Sequence, residues 1–467
     1  MKMPLGNATS LRDRLVCGSD LTDRYLHANR SSVRLTELLR GSSLSLPLTK
    51  FCGRSVLIAT RDQLTAALTL IELDGLARRL VLCPPDIPRE YLSHVIANAE
   101  IDTIVSDDET DGLNELSVSL RATSSPAIRP VDDLHLERTE TEWVMFTSGT
   151  AGMPKMVRHT LPRLTGAIKP REGSEPAIIW STFYDIRRYG GLQIFLRAIC
   201  DGASLVLSDA AEPAGEFLVR LAARGLTHIS GTPSHWRRAL MSPRAQAIMP
   251  RYVRLSGEIA DQAILDRLQT TYPDARIVHA YASTEAGVGF EVHDGREGFP
   301  VSVIESAGDL EFKVEDGLLR MRSPRAALCY VGENAPTLVA SDGFVDTGDI
   351  VERRGDRYYF VGRSDGIINV GGLKVHPEEV EAVINRHPQV RMSEVLAKKN
   401  PVTGSIVVAD VVLQESSGSD ALSSGKINDE ISASCRRALA SYKVPAVIRF
   451  VPNIKLADSG KLARRHA

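Results

Sequence analysis

The chain has 467 residues, more than one ordinary hydrophobic core holds, so we expect two or more domains. Its hydrophobic fraction of 43%, charged fraction of 24% and net charge of −2 are typical of a soluble globular protein and argue against a nucleic-acid partner. The six cysteines occur singly, and no apolar run has the length of a membrane span or a signal-peptide core. We therefore predict a cytoplasmic protein with reduced thiols and no membrane span.

Apolar runs of strand length alternate with helix-like segments in the first part of the chain. The predicted strands are 55–59, 80–83, 103–105, 143–146, 177–180, 204–207, 227–230, 253–255 and 276–280, and the predicted helices are 63–76, 89–99, 191–200, 217–224 and 261–272. This alternation predicts a large α/β domain with a mainly parallel sheet.

The pattern changes near Gly308. Segments 310–314, 318–321 and 357–361 alternate apolar and polar residues between glycine-containing turns, which predicts an antiparallel β subdomain at about 308–362. A helix at 377–386, a strand at 406–413 and a helix at 426–440 follow, with a serine-rich exposed loop at 415–425. We therefore expect an N-terminal domain over residues 1–362, with mixed or parallel sheets and flanking helices, and a small α+β domain over 363–467.

The segment Thr147–Lys155 is rich in hydroxyl side chains and glycine, ends in lysine, and follows a predicted strand. Glycines allow the backbone to approach an anion, and hydroxyls, backbone N–H groups and a lysine can surround phosphate oxygens. Because the lysine follows proline, the loop is not a Walker A loop. A flexible turn of the same composition is the alternative.

Two further short motifs each end in a carboxylate. Glu285 closes the run Tyr281–Glu285 at a strand end, where a carboxylate can hold Mg²⁺ beside phosphates. Asp349 closes Asp346–Asp349, which we predict to be a turn that presents a carboxylate to ribose hydroxyls. Taken singly, a helix-capping acid and an Asx turn explain these residues better. Gly362–Gly366 is either a hinge or an ordinary linker.

The order and spacing of these motifs resemble the adenylate-forming superfamily of acyl- and aryl-CoA synthetases, luciferases and peptide-synthetase adenylation domains. The resemblance covers about 143–465 and is carried by the segments 147–155, 281–285, 347–349, 362–365, 371–381, 442–445 and 459–461. Finding all of them in this order by chance is improbable.

The resemblance implies that ATP and a carboxylic acid form an acyl-adenylate and pyrophosphate, after which a thiol displaces AMP. The ATP- and AMP-binding residues that it implies are Thr147, Ser148, Gly149, Thr150, Gly152, Lys155, Gly257, Glu258, Tyr281, Ala282, Ser283, Thr284, Asp349, Arg363, Lys374 and Lys461. Within this set Tyr281 would lie against adenine, with Gly257 and Glu258 on its other edge.

The resemblance also implies roles in catalysis and in domain movement. The implied catalytic residues are Lys461, Glu285, Thr284 and Lys155, with Glu285 as the Mg²⁺ ligand. Lys461 would bridge the substrate carboxylate and the α-phosphate, where a cation stabilises developing charge. Asp365 would be the hinge of a mobile lid domain, and Gly371 and Gly372 would line the thiol tunnel, where only a bare backbone fits.

The acid pocket is expected near Phe183–Gly191, with Tyr184, Asp185, Arg187 and Gly190 as candidate lining residues. Tyr184 aligns with a position at which many relatives of the superfamily carry histidine or phenylalanine. An arginine here either faces the pocket, where it can pair with a second polar group of the substrate, or faces solvent. A small aryl acid or a short-to-medium acyl acid is our preferred substrate class.

The favoured function is that of an AMP-forming acyl- or aryl-CoA ligase that uses ATP, Mg²⁺ and CoA. The alternatives are loading of the acyl group onto the phosphopantetheine of a separate carrier protein, formation of an amide, and, in a different class, a non-catalytic nucleotide-binding protein. The sequence contains no carrier-type Gly-Gly-x-Ser-Leu site after the small domain, so we expect any carrier to be a separate chain. The acid, the acceptor and the oligomeric state stay open.

Overall fold

The structure is a computed structural model that describes residues 10–17, 21, 23–108, 113–131, 136–147, 155–169, 177–306, 308–400, 404–414, 421–457 and 459–462. Within them no helix combines the length and the apolar character needed to cross a membrane.

The first part of the chain builds most of two eight-stranded sheets. Its strands are β1 (Tyr25–His27), β2 (Ser32–Arg34), β3 (Gly41–Leu44), β4 (Ser55–Ile58), β5 (Arg79–Leu82), β6 (Thr103–Ser106), β7 (Leu120–Pro130), β8 (Glu142–Phe146), β9 (Met156–Thr160), β10 (Ile179–Thr182), β11 (Ser204–Val206), β12 (His228–Gly231), β13 (Tyr252–Ser256), β14 (Arg276–Ser283) and β15 (Gly287–Val292). Its helices are α1 (Leu11–Cys17), α2 (Gln63–Leu73), α3 (Arg89–Asn98), α4 (Leu161–Thr165), α5 (Tyr189–Cys200), α6 (Ala214–Ala223), α7 (Pro233–Ala239) and α8 (Gln262–Thr271).

Smaller sheets follow. The strands of the β subdomain and its surroundings are β16 (Phe299–Pro300), β17 (Glu311–Glu315), β18 (Leu318–Arg322), β19 (Cys329–Val331), β20 (Val345–Arg354) and β21 (Arg357–Arg363), with helix α9 (Ser302–Glu305). The C-terminal unit has β22 (Ile368–Val370), β23 (Leu373–Val375), β24 (Val390–Asn400), β25 (Gly404–Leu413) and β26 (Val447–Phe450), with helices α10 (Pro377–Ile384) and α11 (Ala421–Ala438).

Parallel pairing dominates the centres of both large sheets. One has the strand order β15-β14-β13-β12-β10-β11-β1-β2, and the other has the order β19-β9-β8-β5-β4-β6-β7-β3. Antiparallel strands lie at their edges, for example β15 beside β14 and β9 beside β8. The subdomain sheet β16-β21-β20-β18-β17 is antiparallel throughout. This architecture confirms the predicted fold class.

The hydrophobic residues form separate clusters that follow these layers. The largest runs from α1, α2 and α5 into the β subdomain, and a second packs α6, α7 and α8 against one face of β12 and β13. The C-terminal unit has its own cluster, which includes Val380 of α10, Val411 of β25 and Ile431 of α11. A core of its own is what an independently moving domain requires.

Two motif segments have a different local structure from the prediction. Tyr281–Ser283 belong to β14 rather than following it, because the pair Ser283 and Gly287 continues the ladder to β15. Asp349 lies within β20 rather than in a turn. The register between β18 and β20 shifts there, and Gly348 adopts a φ of +71°, so an irregular strand presents the carboxylate.

The C-terminal unit also differs in part. Strand β24 is absent from the prediction although it pairs along most of its length with β25. Helix α11 begins at Ala421, so the predicted loop at 415–425 extends too far, and its residues 415–420 lie outside the described residues.

The first turn of α5 contains two adjacent glycines with different surroundings. A Cβ atom at Gly191 would lie 2.2 Å from the carbonyl oxygen of Asp185, whereas one at Gly190 would lie 3.4 Å from the Tyr184 ring. We expect Gly191→Ala to lower the free energy of unfolding by about 1–3 kcal/mol, because backbone must move. Gly190→Ala is the matched control. Denaturant titration of both variants measures the difference between their free energies of unfolding. Equal stabilities would show that the backbone at Asp185 moves aside without an energetic penalty.

Candidate active site

The carboxyl ends of the neighbouring parallel strands β12, β13 and β14 meet at one edge of the first large sheet. Thr232 follows β12, Gly257 follows β13, and Thr284 and Glu285 follow β14. Open α/β sheets bind ligands outside the carboxyl ends of their strands, so this edge is the natural place for a site.

The two ends of the predicted phosphate loop are held together by the hairpin of β8 and β9. The backbone N–H of Thr147 donates to the carbonyl oxygen of Lys155 over 2.8 Å. The Lys155 side chain is exposed, with its ammonium 5.5 Å from the ring centroid of Tyr330. The predicted phosphate ligands between these ends, Ser148, Gly149, Thr150 and Gly152, lie outside the described residues.

Tyr330 connects the loop to the carboxylate after β14. Its strand β19 pairs with β9, and Tyr330 lies opposite Val157. The Tyr330 ring lies beneath the Lys155 ammonium, with 5.5 Å between the ammonium and the ring centroid. Burial, together with the Glu285 charge, raises the pKa of Tyr330 to about 12, so the phenol stays protonated. Tyr330 therefore lies between the cation of the loop and the acid after β14.

The backbone of Thr284 contacts a buried histidine, and the backbone of Glu285 contacts the segment before β19. The His159 ring nitrogen Nε2 lies 2.8 Å from the Thr284 carbonyl oxygen, and the Glu285 carbonyl oxygen accepts from the Ala327 N–H over 2.8 Å. Burial raises the pKa of Glu285, while Arg363, Lys461 and Lys155 act in the opposite direction. The carboxylate therefore lies among cations.

Asp349 faces the same edge from the β subdomain. It accepts from the Tyr281 hydroxyl over 2.7 Å and from Arg363 Nη1 over 3.2 Å, and Arg363 is its partner across β20 and β21. Burial raises the pKa of Asp349, and Arg363 opposes that shift.

The Tyr281 ring lies between Phe290 and Phe360, with centroid separations of 5.4 and 5.2 Å and near-parallel planes. Ala282 pairs with Val288 in the ladder, and the Ser283 hydroxyl accepts from the Ala286 N–H over 2.9 Å. The Tyr281 hydroxyl is placed against Asp349, and the contact of its ring with adenine stays a prediction.

Lys461 enters this edge from the C-terminal unit. A Cβ at Gly257 would lie 3.4 Å from Lys461 Cε and 3.5 Å from the Tyr184 hydroxyl, and Gly257 has a φ of +85°. Burial lowers the pKa of Lys461, while Glu258, Asp349 and Glu285 raise it. The cation and these carboxylates are thus close enough to interact although they come from different domains.

Tyr184 and Gly190 lie near the Lys461 side chain. The Tyr184 hydroxyl is buried and donates to the Ser256 carbonyl oxygen, and Gly190 lies against the ring. Both residues therefore lie next to Gly257, and their role in lining an acid pocket stays a prediction.

The predicted roles of Asp185 and Arg187 in the pocket require a correction. The Arg187 side chain faces neither the substrate nor solvent. Arg187 is 2% exposed and bonds to Asp185 through Nε over 2.8 Å, while its other nitrogens donate to the carbonyl oxygens of Thr60 and Arg61. Burial alone would raise the pKa of Asp185, but the Arg187 charge outweighs this effect and keeps the pKa below its usual value. This ion pair fastens the loop after β10 to the end of β4 and engages every nitrogen of the guanidinium within the protein.

The predicted hinge and tunnel residues lie together after β21. Asp365 is exposed and accepts from Arg363 Nε over 3.1 Å. Gly371 and Gly372 form the turn of the β22–β23 hairpin with φ values of +59° and +88°, and a Cβ on either would meet nothing within 4 Å. The turn conformation, rather than a close approach, therefore requires glycine in this structure. Lys374 on β23 is exposed, and within the described part of the chain no hydrogen bond or ion pair links it to the site.

Thr232, His235 and Tyr330 are site residues that the sequence motifs did not single out. Thr232 caps α7, and His235 is half-buried with its ring stacked 5.5 Å from Phe183. A threonine before proline at the end of a strand was the one available signal for Thr232, since it marks a helix start.

Two family models match the chain. One for the AMP-binding enzyme matches residues 76–321, and one for the AMP-binding enzyme C-terminal domain matches residues 379–461. The first covers more than half of the chain. The chain belongs to the AMP-binding enzyme family.

Named relatives of this AMP-binding enzyme are distant in sequence. It is 26% identical over 396 residues to a 2-succinylbenzoate–CoA ligase of Listeria innocua, and the match spans 81% of this chain and 80% of the relative. Its fold resembles that of an anthranilate CoA ligase solved with anthranoyl-AMP, at a TM-score of 0.78 and 17% identity, covering 99% and 96% of the two chains. An amide bond synthetase of Marinactinospora thermotolerans has a TM-score of 0.75 at 19% identity, covering 97% and 98%. The two family models, together with these matches, confirm membership of the adenylate-forming superfamily.

Two histidines of this AMP-binding enzyme, His159 and His235, predict acid sensitivity. Burial lowers the pKa of His159 to about 4 and that of His235 to about 3, from the ordinary 6.5. Because the unfolded chain takes up these protons first, the free energy of unfolding should fall as the pH drops from about 6.5 towards 4, by up to about 1.4 kcal/mol per pH unit for each histidine.

Denaturant titration at several pH values checks this, with His159→Gln and, as a control, His94→Gln at an exposed site. The slope of the free energy of unfolding against pH reports how many protons are taken up on unfolding. We expect this number to fall by about one in His159→Gln and to stay unchanged in His94→Gln. An unchanged slope in that variant would show that His159 does not carry the dependence.

Proposed function

We propose that the protein activates a small carboxylic acid with ATP to an acyl-adenylate, releasing pyrophosphate, and then transfers the acyl group to the thiol of CoA. The observation that carries this proposal is the approach of Lys461 to Gly257, within the electrostatic field of Glu285 and Asp349. A cation held at this edge of the sheet can draw a carboxylate and a phosphate together, which supports a reaction in which two anions must meet.

In the first half-reaction a carboxylate oxygen of the acid attacks the α-phosphorus of ATP. One P–O bond forms, the bond to the β-phosphate oxygen breaks, and pyrophosphate leaves. Lys461 holds the carboxylate and the α-phosphate together and offsets the charge on the transferring oxygens. Lys155 and the loop after Thr147 hold the leaving pyrophosphate, and Asp349 holds the ribose with help from Arg363.

In the second half-reaction the sulfur of CoA attacks the acyl carbon, AMP leaves, and the thiol proton is released. Lys461 is not required for this step, so the small domain is free to turn about Asp365. We place the domain boundary at residues 362 and 363, where β21 ends, and the thiol tunnel beside the Gly371–Gly372 turn.

Glu285 fits a Mg²⁺ ion that is bound together with ATP. No group of three acidic, histidine or cysteine side chains suited to a metal occurs among the described residues, so a cage built by the protein alone has no support there. Mg²⁺ typically binds through one or two carboxylates plus substrate phosphates. When bound, the ion would neutralise phosphate charge beside Glu285, whose burial disfavours an isolated carboxylate.

The acid is proposed to lie beside Tyr184, between Gly190 and Gly257. The buried phenol, fixed on Ser256, closes this region and supports a compact acid. The free cysteines in the described residues, Cys52, Cys83, Cys200, Cys329 and Cys435, support our proposal that the protein acts in a reducing cytoplasm.

Pyrophosphate release in the presence of ATP, Mg²⁺ and a panel of aryl and short-to-medium acyl acids tests the first half-reaction. Adding CoA, a phosphopantetheinylated carrier protein or a simple amine to separate samples, with mass spectrometry of the products, then identifies the acceptor. A thioester with CoA supports the proposal, whereas acyl-carrier or amide products would replace the acceptor. ATP binding without pyrophosphate release for any acid would favour the non-catalytic alternative.

Lys461→Ala separates the half-reactions. We expect acyl-adenylate formation to fall by about a hundredfold or more, because a charge-stabilising group at the reacting atoms is lost, while ATP binding changes little. Thioester formation from supplied acyl-adenylate should be retained. Lys455→Ala, at an exposed lysine of the same segment, is the control. Equal loss of both half-reactions in Lys461→Ala would contradict the assigned role.

A further inference from the structure

The segment Ser459–Leu462, which carries Lys461, is bound to the large domain by two hydrogen bonds that flank the lysine. The Thr232 hydroxyl donates to the Gly460 carbonyl oxygen over 2.7 Å. The Leu462 backbone N–H donates to Glu258 Oε1 over 3.0 Å. Both partners on the large domain are side chains, and both groups on the segment are backbone.

Thr232 and Glu258 are themselves fixed by the first turn of α7. The Thr232 hydroxyl oxygen accepts from the His235 N–H over 2.9 Å, and Glu258 Oε2 accepts from the Ser234 N–H over 2.9 Å. Each side chain therefore satisfies one group of a rigid helix start and one group of the C-terminal segment. The bonds that Thr232 and Glu258 make to Gly460 and Leu462 fix the position of the segment.

A glycine makes the approach of the segment possible. Gly460 has a φ of +72°, and a Cβ there would lie 1.7 Å from Cε1 of His235. The His235 imidazole is locked in turn, because its Nδ1 accepts from the Thr232 N–H over 3.2 Å and its ring stacks on Phe183. The segment thus fits a preformed surface made of Thr232, His235 and Glu258, which we call the latch.

We propose that Thr232 and Glu258 are positioning residues that hold Lys461 at the reacting atoms during adenylation and take no part in thioester formation. The inference rests on the proposed function, since it assigns the latch to one half-reaction. It also changes the role of Glu258: both of its carboxylate oxygens accept from backbone N–H groups, so they are engaged by the latch rather than by the edge of adenine.

The test measures the two half-reactions separately in Thr232→Val and Glu258→Gln. Loss of one such hydrogen bond is expected to slow acyl-adenylate formation about three- to tenfold, while thioester formation from supplied acyl-adenylate stays within about twofold of the native rate. Thr232→Ser, which keeps the hydroxyl, should restore adenylation. Asp62→Ala, which removes the cap of α2 far from the latch, should affect both half-reactions alike if it affects either.

Gly460→Ala covers the case in which a Thr232 variant fails to fold, because it changes only the segment and should give the same selective loss. Hydrogen exchange of the peptide containing Leu462 gives a readout that needs no activity: the peptide should be protected in the native protein and exchange faster in Glu258→Gln. Equal loss of both half-reactions in the latch variants, no loss in either, or unchanged exchange would overturn the latch. Absence of adenylation in the native protein, with the exchange difference retained, would instead overturn only the proposed function.

Discussion

The Lys461 ammonium is the group on which the arrangement of the site depends, because it reaches the carboxylates only when two separately folded parts of the chain are in contact. Burial penalises its charge, and the nearby Glu258, Asp349 and Glu285 offset that penalty. Each of these acids comes from a different segment: the end of β13, the irregular strand β20 and the end of β14. The lysine therefore completes a set of charges that the large domain holds without it.

The large domain keeps its acids apart by giving each a fixed protein partner. Asp349 is held by Tyr281 and Arg363, and Glu258 accepts from the Ser234 N–H. Preorganised charges of this kind cost no reorganisation when a substrate arrives. Tyr330 lies between the two sides of the site, because its ring contacts Lys155 and its hydroxyl feels the charge of Glu285.

Local pattern was sufficient for the alternating strands and helices, since buried parallel strands such as β4, β5 and β8 are short apolar runs. It failed for β7 and β24. The first is polar and contains proline, and the second carries charged residues along its exposed end, so neither has the composition of a buried strand. In the site, the motif residues Glu285, Asp349 and Lys461 could be assigned to one place because their order resembles a known family. Thr232 could not, because its contact with Gly460 spans 228 positions and leaves no local signal. Arg187 was misplaced for a related reason: spacing does not show that Asp185 and the end of β4 enclose it.

The two hydrogen bonds that flank Lys461 contribute roughly 1–3 kcal/mol together, and a glycine against an imidazole adds little apolar burial. Other contacts join the two parts of the chain, such as the exposed ion pair of Arg386 and Glu297 at 3.0 Å. The latch bonds alone favour the arrangement seen here by no more than about a hundredfold, which is compatible with the proposed movement of the C-terminal unit. The glycines at the Lys461 contact and those in the β22–β23 hairpin have different surroundings. Gly257 and Gly460 lie where a side chain would meet Lys461 or His235, whereas Gly371 and Gly372 lie in open space and serve the turn of a hairpin. At the Lys461 contact glycine permits a close approach between two parts of the chain, whereas the hairpin turn needs glycine only for its backbone conformation.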